Sequence, residues 1–276
     1  DNLSTLGCVP PLPVQRNSCQ AILSAESDVV VGTYTGSGKT LAFLVPILQR
    51  MLLVPTTTTT RKGLLRLIVI APGRELASQI TTVARQVVQG TGLSVQLAIG
   101  GTTFSRNLEQ VRKMKPDILV GTPGRLAELL VGSGGEKRGR LQLGTVQSLV
   151  LDEFDALFDS KVHRDPTIAI LETLQRRRKD ELQSIFCSAT ATDMLKDEKR
   201  KAILEQYLRA DYSITLADRA DRWVTAAADT TTTTRVSRTV LHGVVHVPHR
   251  RFLLDTLRRI LHTEPIPQQI LIFVSD

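Results

Sequence analysis

Asp28-Val-Val-Val-Gly-Thr-Tyr-Thr35-Gly36-Ser37-Gly38-Lys39-Thr40 decides how this chain is read. Strand-forming valines run into a glycine-rich turn, and the turn closes on Gly-Lys-Thr. Apolar residues at helical spacing follow at once (Leu41, Phe43, Leu44, Ile47, Leu48). Strand, loop, lysine and helix in that order make a phosphate cradle. Glycines let backbone N–H groups converge on an anion, and the helix N-terminus adds the positive end of its dipole. In that layout Lys39 reaches the terminal phosphates and Thr40 offers its hydroxyl to Mg²⁺. The strict pattern asks for glycine at position 33, where this chain has Thr33 beside Gly32. The plain alternative is a Gly/Ser turn between a strand and a helix, and the lysine and the helix together weigh against it.

A phosphate cradle needs a carboxylate to organise metal and water. Leu149-Val150-Leu151-Asp152-Glu153-Phe154-Asp155 supplies one at the end of an apolar run. Asp152 is the candidate to hold Mg²⁺ through water. Glu153 is the candidate to orient or deprotonate the attacking water. Phe154 is expected to pack, and Asp155 to link this loop to the next. Alone, the stretch reads equally well as an acidic helix N-terminus after a buried strand.

Strand-like runs at Asp28–Val31, Leu67–Ile70, Val95–Ile99, Ile118–Val120, Ser148–Leu151 and Ser184–Cys187 alternate with helical patterns such as Glu75–Gln89, Leu108–Lys113 and Leu126–Leu130. The fold class expected is α/β, a parallel sheet with helices on both faces. Ligands in such sheets bind beyond the carboxyl ends of the strands, where nearly every motif named here falls. Residues 210–235 are polar and irregular and read as a linker after a first domain at 1–209. Residues 236–276, with strand patterns at Val240–Val247 and Gln269–Ser275 around a helical Arg251–Leu261, read as the start of a second domain. About forty residues do not make a stable domain alone.

The chain has 276 residues, 42% of them hydrophobic, with a formal net charge of +8. That length allows one large domain, or one domain and part of another. The basic balance favours a polyanionic partner, nucleic acid or an acidic membrane surface. Aromatics make up 4% of the chain, which argues for contacts to phosphate and sugar over a base-stacking platform. Cys8, Cys19 and Cys187 show no metal spacing and read as reduced thiols in an intracellular protein. No run approaches the length of a membrane span, and no secretory signal is visible. The chain starts at Asp1, so a natural N-terminus, with any organelle-targeting segment, is expected to precede it. Thr56–Thr60 and Thr230–Thr234 are threonine runs in connecting segments, read either as polar inserts or as placeholders for other residues. Residues 131–140 read as a basic loop and 176–180 as a charged helix end.

Several further motifs carry a family resemblance. Pro11-Leu12-Pro13-Val14-Gln15 looks like a Q motif. Thr35–Thr40 spells TGSGKT. Pro72-Gly73-Arg74-Glu75-Leu76-Ala77 is similar to PTRELA. Gly100-Gly101 matches a glycine pair, Thr122-Pro123-Gly124-Arg125 matches TPGR, and Ser188-Ala189-Thr190 spells SAT. Asp152–Asp155 stands where Asp-Glu-Ala-Asp is usual, and Ile270–Val274 looks like the first strand motif of a second domain. In that order they resemble the DEAD-box RNA helicases of superfamily 2.

The resemblance implies a complete RecA-like P-loop NTPase domain and part of a second RecA-like domain, with ATP and Mg²⁺ as cofactors. It implies that Gln15 reads adenine and that Thr35, Gly36, Ser37, Gly38, Lys39 and Thr40 cradle the phosphates. Thr40 and Asp152 would serve the metal, and Lys39, Asp152 and Glu153 the chemistry. Pro72, Gly73, Arg74, Gly100, Gly101, Thr122, Pro123, Gly124 and Arg125 would line an RNA track. Asp155, Ser188, Ala189 and Thr190 would couple hydrolysis to RNA. Backbone contacts of this kind are sequence-independent and salt-sensitive. For Arg74 and for Arg125, phosphate binding and a structural ion pair both stand. Thr122 reads as a phosphate donor, a helix cap, or both, because Pro123 suits the first helical position.

Gly73 replaces the usual threonine of PTRELA, Phe154 replaces alanine, and the adenine-stacking aromatic upstream of the Q motif is not in view. The resemblance implies that the arginines completing the ATP site across the cleft belong to the part of a second domain expected beyond Asp276. Such arginines typically contribute on the order of 10³–10⁵ in rate, so little hydrolysis is expected of residues 1–276 alone. The leading reading is an RNA helicase or RNP remodeller, in a ribosome-assembly or similar particle, in the nucleus, nucleolus, cytoplasm or an organelle matrix. The rival is a catalytically weak RNA-binding clamp. A GTPase or small-molecule kinase is disfavoured by the lack of an Asn-Lys-x-Asp motif and by Gln15.

Overall fold

The computed structural model of the chain describes residues 2–34, 36–53, 64–101, 103–132, 141–178, 181–217, 223–224 and 245–262. The chain divides into two units, Asp1–Thr231 and Thr232–Asp276.

The strands of the first unit are β1 Val29–Thr33, β2 Leu67–Ile70, β3 Val95–Ala98, β4 Ile118–Gly121, β5 Ser148–Asp152, β6 Gln183–Ser188, β7 Ser213–Ala217 and β8 Trp223–Val224. Its helices are α1 Asn2–Thr5, α2 Pro13–Ser24, α3 Lys39–Leu53, α4 Arg74–Val87, α5 Phe104–Met114, α6 Pro123–Leu130, α7 Phe154–Asp159, α8 Lys161–Arg178, α9 Ala191–Lys196 and α10 Glu198–Glu205. The strands form one sheet in the order β3-β4-β2-β5-β6-β1-β7-β8. The first seven in that order run parallel, and β8 pairs antiparallel with β7. The expected α/β sheet is therefore present, and the six strands read from the sequence fall within a residue or two of their observed bounds.

β1, β2, β4, β5 and β6 bury both faces, as parallel strands covered by helices do. Val30, Ile68, Ile70, Leu119, Leu149, Leu151 and Phe186 face a core closed by α5 to α10. Their neighbours Val29, Val31, Leu67, Val69, Ile118, Val120, Val150, Ile185 and Cys187 face a second core closed by α2, α3 and α4. Each fully buried aliphatic side chain contributes roughly 1.5–3 kcal/mol relative to exposure.

The amino edge of the sheet is held by buried polar groups. The Asp28 carboxylate accepts the N–H groups of Ser184 (2.7 Å) and Arg209 (2.8 Å). Arg66 pairs with Asp117 at 3.1 Å. Arg50 donates to Ile22 O, to Gln183 Oε1 and to Ser148 Oγ, joining α2, β6 and β5. With this edge fixed, the opposite edge is left to the loops that carry the motifs.

One boundary differs from the sequence reading. Ser213–Ala217, expected within the 210–235 linker, is a strand of the sheet. Ser213 N–H donates to Asp28 O at 2.8 Å. Leu216 lies over Gly32, where an added Cβ would meet its Cδ2 at 2.4 Å. The apolar positions Ile214 and Leu216 do alternate, but polar flanks made the run read as linker.

In the second unit, a 3₁₀ turn at Arg250–Phe252 leads into α11, Leu253–Leu261, where the sequence pattern placed a helix. The strand expected at 240–247 falls mostly outside the described residues. The strand expected at 269–275, both threonine runs and most of the 131–140 loop lie wholly outside them.

Candidate functional site

Sheet order sorts the motifs into two neighbouring groups along the carboxyl edge. Strands β3, β4 and β2 are contiguous and end in Gly100-Gly101, Thr122–Arg125 and Pro72–Arg74. Strands β5, β6 and β1 are contiguous and end in Asp152–Asp155, Ser188–Thr190 and the loop to Thr40. Residues more than 150 positions apart, such as Gly36 and Thr190, thus come to one edge in two adjoining half-sites.

In the group formed by β5, β6 and β1, β1 runs out at Thr33 and α3 starts at Lys39. Gly36 and Gly38 take left-handed backbone (φ +83° and +89°), which glycine adopts without strain. A Cβ on Gly36 would meet nothing within 4 Å. Lys39 Nζ donates to the carbonyls of Thr33 (2.9 Å) and Tyr34 (3.1 Å), so its ammonium sits over the mouth of the loop. Ser37 Oγ is buried and has no hydrogen-bond partner among the described residues. Thr35 lies outside the described residues. Gln15 ties α2 to this loop: its Oε1 accepts Leu12 N–H at 2.9 Å and its Nε2 donates to Gly38 O at 3.3 Å.

Asp152 is 3% exposed at the end of β5. Its Oδ1 accepts Glu153 N–H at 3.1 Å. Burial pushes its carboxyl up to about 6, with Lys39 opposing the rise. Burial lowers Lys39 in turn, and Asp152 is the charge that most counters it. The two charges therefore stabilise each other within the site. Glu153 turns through left-handed backbone (φ 51°), uncommon for a side-chain-bearing residue, and α7 starts directly after it. Thr190 Oγ1 donates to Asp155 Oδ2, and Thr190 N–H donates to Ser188 Oγ at 2.9 Å. This chain of bonds joins the loop after β5 to the loop after β6. Ala189 lies between Ser188 and Thr190 on the latter loop, and the next residue, Ala191, packs on Gly32 of β1.

Thr40 hydroxyl, Asp152 carboxylate, Lys39 ammonium, glycine backbone and the orphaned Ser37 hydroxyl form a donor set that fits a polyphosphate carrying one hard divalent cation. Among the described residues no group of three or more His, Cys, Asp or Glu gathers as an all-protein metal site. Thr40 and Asp152 are the residues present to hold such a cation.

The group formed by β3, β4 and β2 is built on helix N-termini. Gly73, which has no side chain to cap with, is the N-cap of α4, and Thr122 is the N-cap of α6 without its hydroxyl making a capping hydrogen bond. Pro72 precedes the first cap, and Pro123 occupies the first turn of α6. The exposed Arg74 guanidinium lies across Gly100 and Gly101. A Cβ on Gly100 would meet Arg74 Nη2 at 3.0 Å, and one on Gly101 its Nη1 at 3.6 Å. Gly124 is exposed with open space around it. Two helix N-termini, bare glycine backbone and one exposed guanidinium suit a run of phosphates. Arg125 is placed differently. Its side chain is 9% exposed and pairs with Glu128 at 3.0 Å. Of the two arginines left open by the sequence, Arg74 is on the surface of the site and Arg125 is in an ion pair.

Four contributors were not singled out from the sequence. Gly121 has no room for a side chain, since a Cβ would lie 2.2 Å from Ala98 O. Gly32 lets Leu216 and Ala191 approach β1, and a glycine inside a strand is itself a signal of close approach. Glu128 stands three residues after Arg125, the spacing of a helical ion pair. Cys187 is fully buried on β6 opposite Asp152 in register, and no motif pointed to it.

Residues 12–197 match the family described as DEAD/DEAH box helicase. Among curated relatives, the ATP-dependent RNA helicase DRS1 of Debaryomyces hansenii is 35% identical over 196 residues, 71% of this chain and 24% of that protein. The ATP-dependent rRNA helicase SPB4 of Candida albicans is 34% identical over 225 residues, 76% of this chain and 34% of that protein. The chain thus spans about a quarter to a third of the length of these relatives. A solved structure of Mss116p bound to ssRNA and AMP-PNP is 26% identical, covers 78% of this chain and 41% of that one, and superposes with a TM-score of 0.65. A DEAD box protein from Methanococcus jannaschii shares the fold at 24% identity and a TM-score of 0.60, over 77% of this chain and 51% of that one.

Proposed function

This chain belongs to the DEAD/DEAH box helicase family, and from that premise we propose that it forms the ATP-binding and part of the RNA-binding surface of an ATP-dependent RNA helicase. The observation that carries the reading is the sheet order, which groups β5, β6 and β1 as a nucleotide half-site beside β3, β4 and β2 as a phosphate track. Lys39 and the 35–40 loop bind the phosphates, and Gln15 faces the base. Thr40 and Asp152 would hold Mg²⁺, which would supply positive charge to offset that of the phosphates. Glu153 orients the attacking water. Arg74, Gly100, Gly101, Thr122 and Gly124 contact successive RNA phosphates, while Pro72, Gly73 and Pro123 shape the two helix starts. Arg125, held by Glu128, fixes the turn that presents Thr122.

Asp155, Ser188 and Thr190 join the loops after β5 and β6 within the nucleotide half-site, so that a change at the γ-phosphate moves the loop after β6. The relatives' names, one of which specifies rRNA, support structured RNA in a ribosome-assembly or similar particle as the substrate. The rival reading, an RNA clamp that turns over little ATP, draws on Gly73, which offers no hydroxyl, and on the engaged Arg125. Glu153→Gln in the full-length protein separates the two. On the proposed reading it keeps ATP and RNA binding and abolishes RNA-stimulated hydrolysis with loss of function in cells. Unchanged growth and assembly would favour the clamp.

A further inference from the structure

Phe154 begins α7 between Glu153 and Asp155, and its ring is fully buried. It rests on Phe186 of β6, with ring centroids 5.7 Å apart and planes tilted by 40°. Phe158, one turn along α7, also contacts Phe186 (6.4 Å) and stacks on Tyr207 (6.5 Å). Phe186 stands two residues before Ser188, and β5 and β6 are paired in register up to Asp152 and Cys187. The loops after β5 and β6 are therefore joined twice: at the surface by Asp155, Thr190 and Ser188, and one layer below by an aromatic contact.

The polar link alone leaves the turn at Glu153 held from one side. Left-handed backbone at a non-glycine residue persists only where its surroundings over-determine it. Asp152 is fixed by the sheet before the turn, and Phe154 is fixed by the core directly after it. The direction in which Glu153 leaves the backbone is thus set by the seating of the Phe154 ring. We propose that Phe154 is a positioning residue for hydrolysis: seated on Phe186, it holds Glu153 in its turn and makes the loops after β5 and β6 move as one body. This rests on the reading of Glu153 as the residue that orients water, and it makes the aromatic replacement a coupling element and not merely a filled space.

The test uses the full-length protein with Phe154→Ala, the milder Phe154→Leu, and Leu174→Ala as a control. Leu174 is fully buried in the same core and is remote from both loops in sequence. ATP affinity, ATP KM and kcat at saturating RNA, and amide exchange in peptides covering 152–158 and 188–195 are measured. With Phe154→Ala, ATP affinity and KM stay within about twofold while kcat falls about tenfold or more, as misplacement of a reacting group by a fraction of an ångström does. Exchange quickens in both peptides together. Phe154→Leu gives a smaller kcat loss of the same kind, and Leu174→Ala lowers the melting temperature with kcat within about twofold. The proposal is overturned if Phe154→Ala (or Phe154→Leu, should the alanine variant not fold) keeps wild-type kcat, or if Leu174→Ala loses as much. Should the parent protein show no RNA-stimulated turnover, the hydrolysis reading fails on its own. The exchange data then decide the coupling: quickening confined to 152–158 refutes it.

Discussion

Gly121→Ala probes the phosphate track without touching a residue assigned to contact RNA. The added Cβ would lie 2.2 Å from Ala98 O, a backbone atom of β3, and 3.0 Å from Leu126 Cγ of α6. Neither strand has a flexible side chain that can yield, so β4 must move by about 1 Å relative to β3 to restore ordinary contact. That motion breaks or stretches Thr122 N–H to Ala98 O (3.1 Å) and Ala71 N–H to Gly121 O (3.0 Å). Two backbone bonds at about 1 kcal/mol each and an overpacking cost of about 1–3 kcal/mol give a loss of about 3–5 kcal/mol. For a domain of this size that lowers Tm by about 6–20 °C. The assay is thermal or denaturant unfolding, followed by ATP and RNA binding well below the transition. RNA affinity falls because Thr122 and the start of α6 are displaced, while ATP affinity holds because β1, β5 and β6 are not involved. A variant that melts within about 2 °C of the parent, or one that loses both ligands equally, would refute the reasoning.

Three further outcomes follow from the same geometry. Gly73→Thr is accommodated, since its backbone is extended (φ −111°) and a Cβ would stand 3.6 Å from Glu75 Oε2. It stabilises by about 0.5–1 kcal/mol through the cap and the unfolded chain, and tightens RNA binding severalfold, read by melting and by filter binding. Asp152, pushed up to about 6 from 3.8, holds its proton more tightly folded than unfolded, so its stabilising contribution is full below about pH 4 and is lost as pH rises through 6. Mg²⁺ requires the carboxylate, so Mg²⁺-dependent ATP affinity rises about tenfold from pH 5 to pH 7, and Asp152→Asn flattens that profile. Asp28→Asn replaces a buried acceptor facing two N–H groups and the Arg209 guanidinium, and costs about 2–4 kcal/mol in unfolding experiments while ATP affinity of the folded protein is retained.

What the sequence made legible was local. The valines before Gly32, the apolar run before Asp152 and the glycine loop each announce themselves within a dozen residues, because period, turn chemistry and charge act over that range. Strand order is not local, and it is strand order that puts Gly100, Thr122 and Pro72 on one side and Asp152, Ser188 and Thr40 on the other. β7 was missed for a similar reason: its two apolar positions acquire meaning only from Gly32, about 180 residues earlier. Arg125 shows the limit at the level of one side chain. The chain placed Glu128 at pairing distance, but only burial decides that the pair forms. Phe154 was legible as a departure and not as a contact, since Phe186 lies on another strand.

The central claim is that one sheet edge is divided into a nucleotide half and an RNA half. Amide exchange on the full-length protein, with ATP analogue and Mg²⁺ alone, with RNA alone, and with both, tests it most directly. The account predicts that nucleotide alone slows exchange at 36–41, 152–156 and 188–191. RNA alone slows it at 73–76, 100–101 and 122–126, and each ligand deepens the other's footprint across the paired strands β2 and β5, where the two halves adjoin. RNA protection that falls on the nucleotide group, or on neither group, would contradict it.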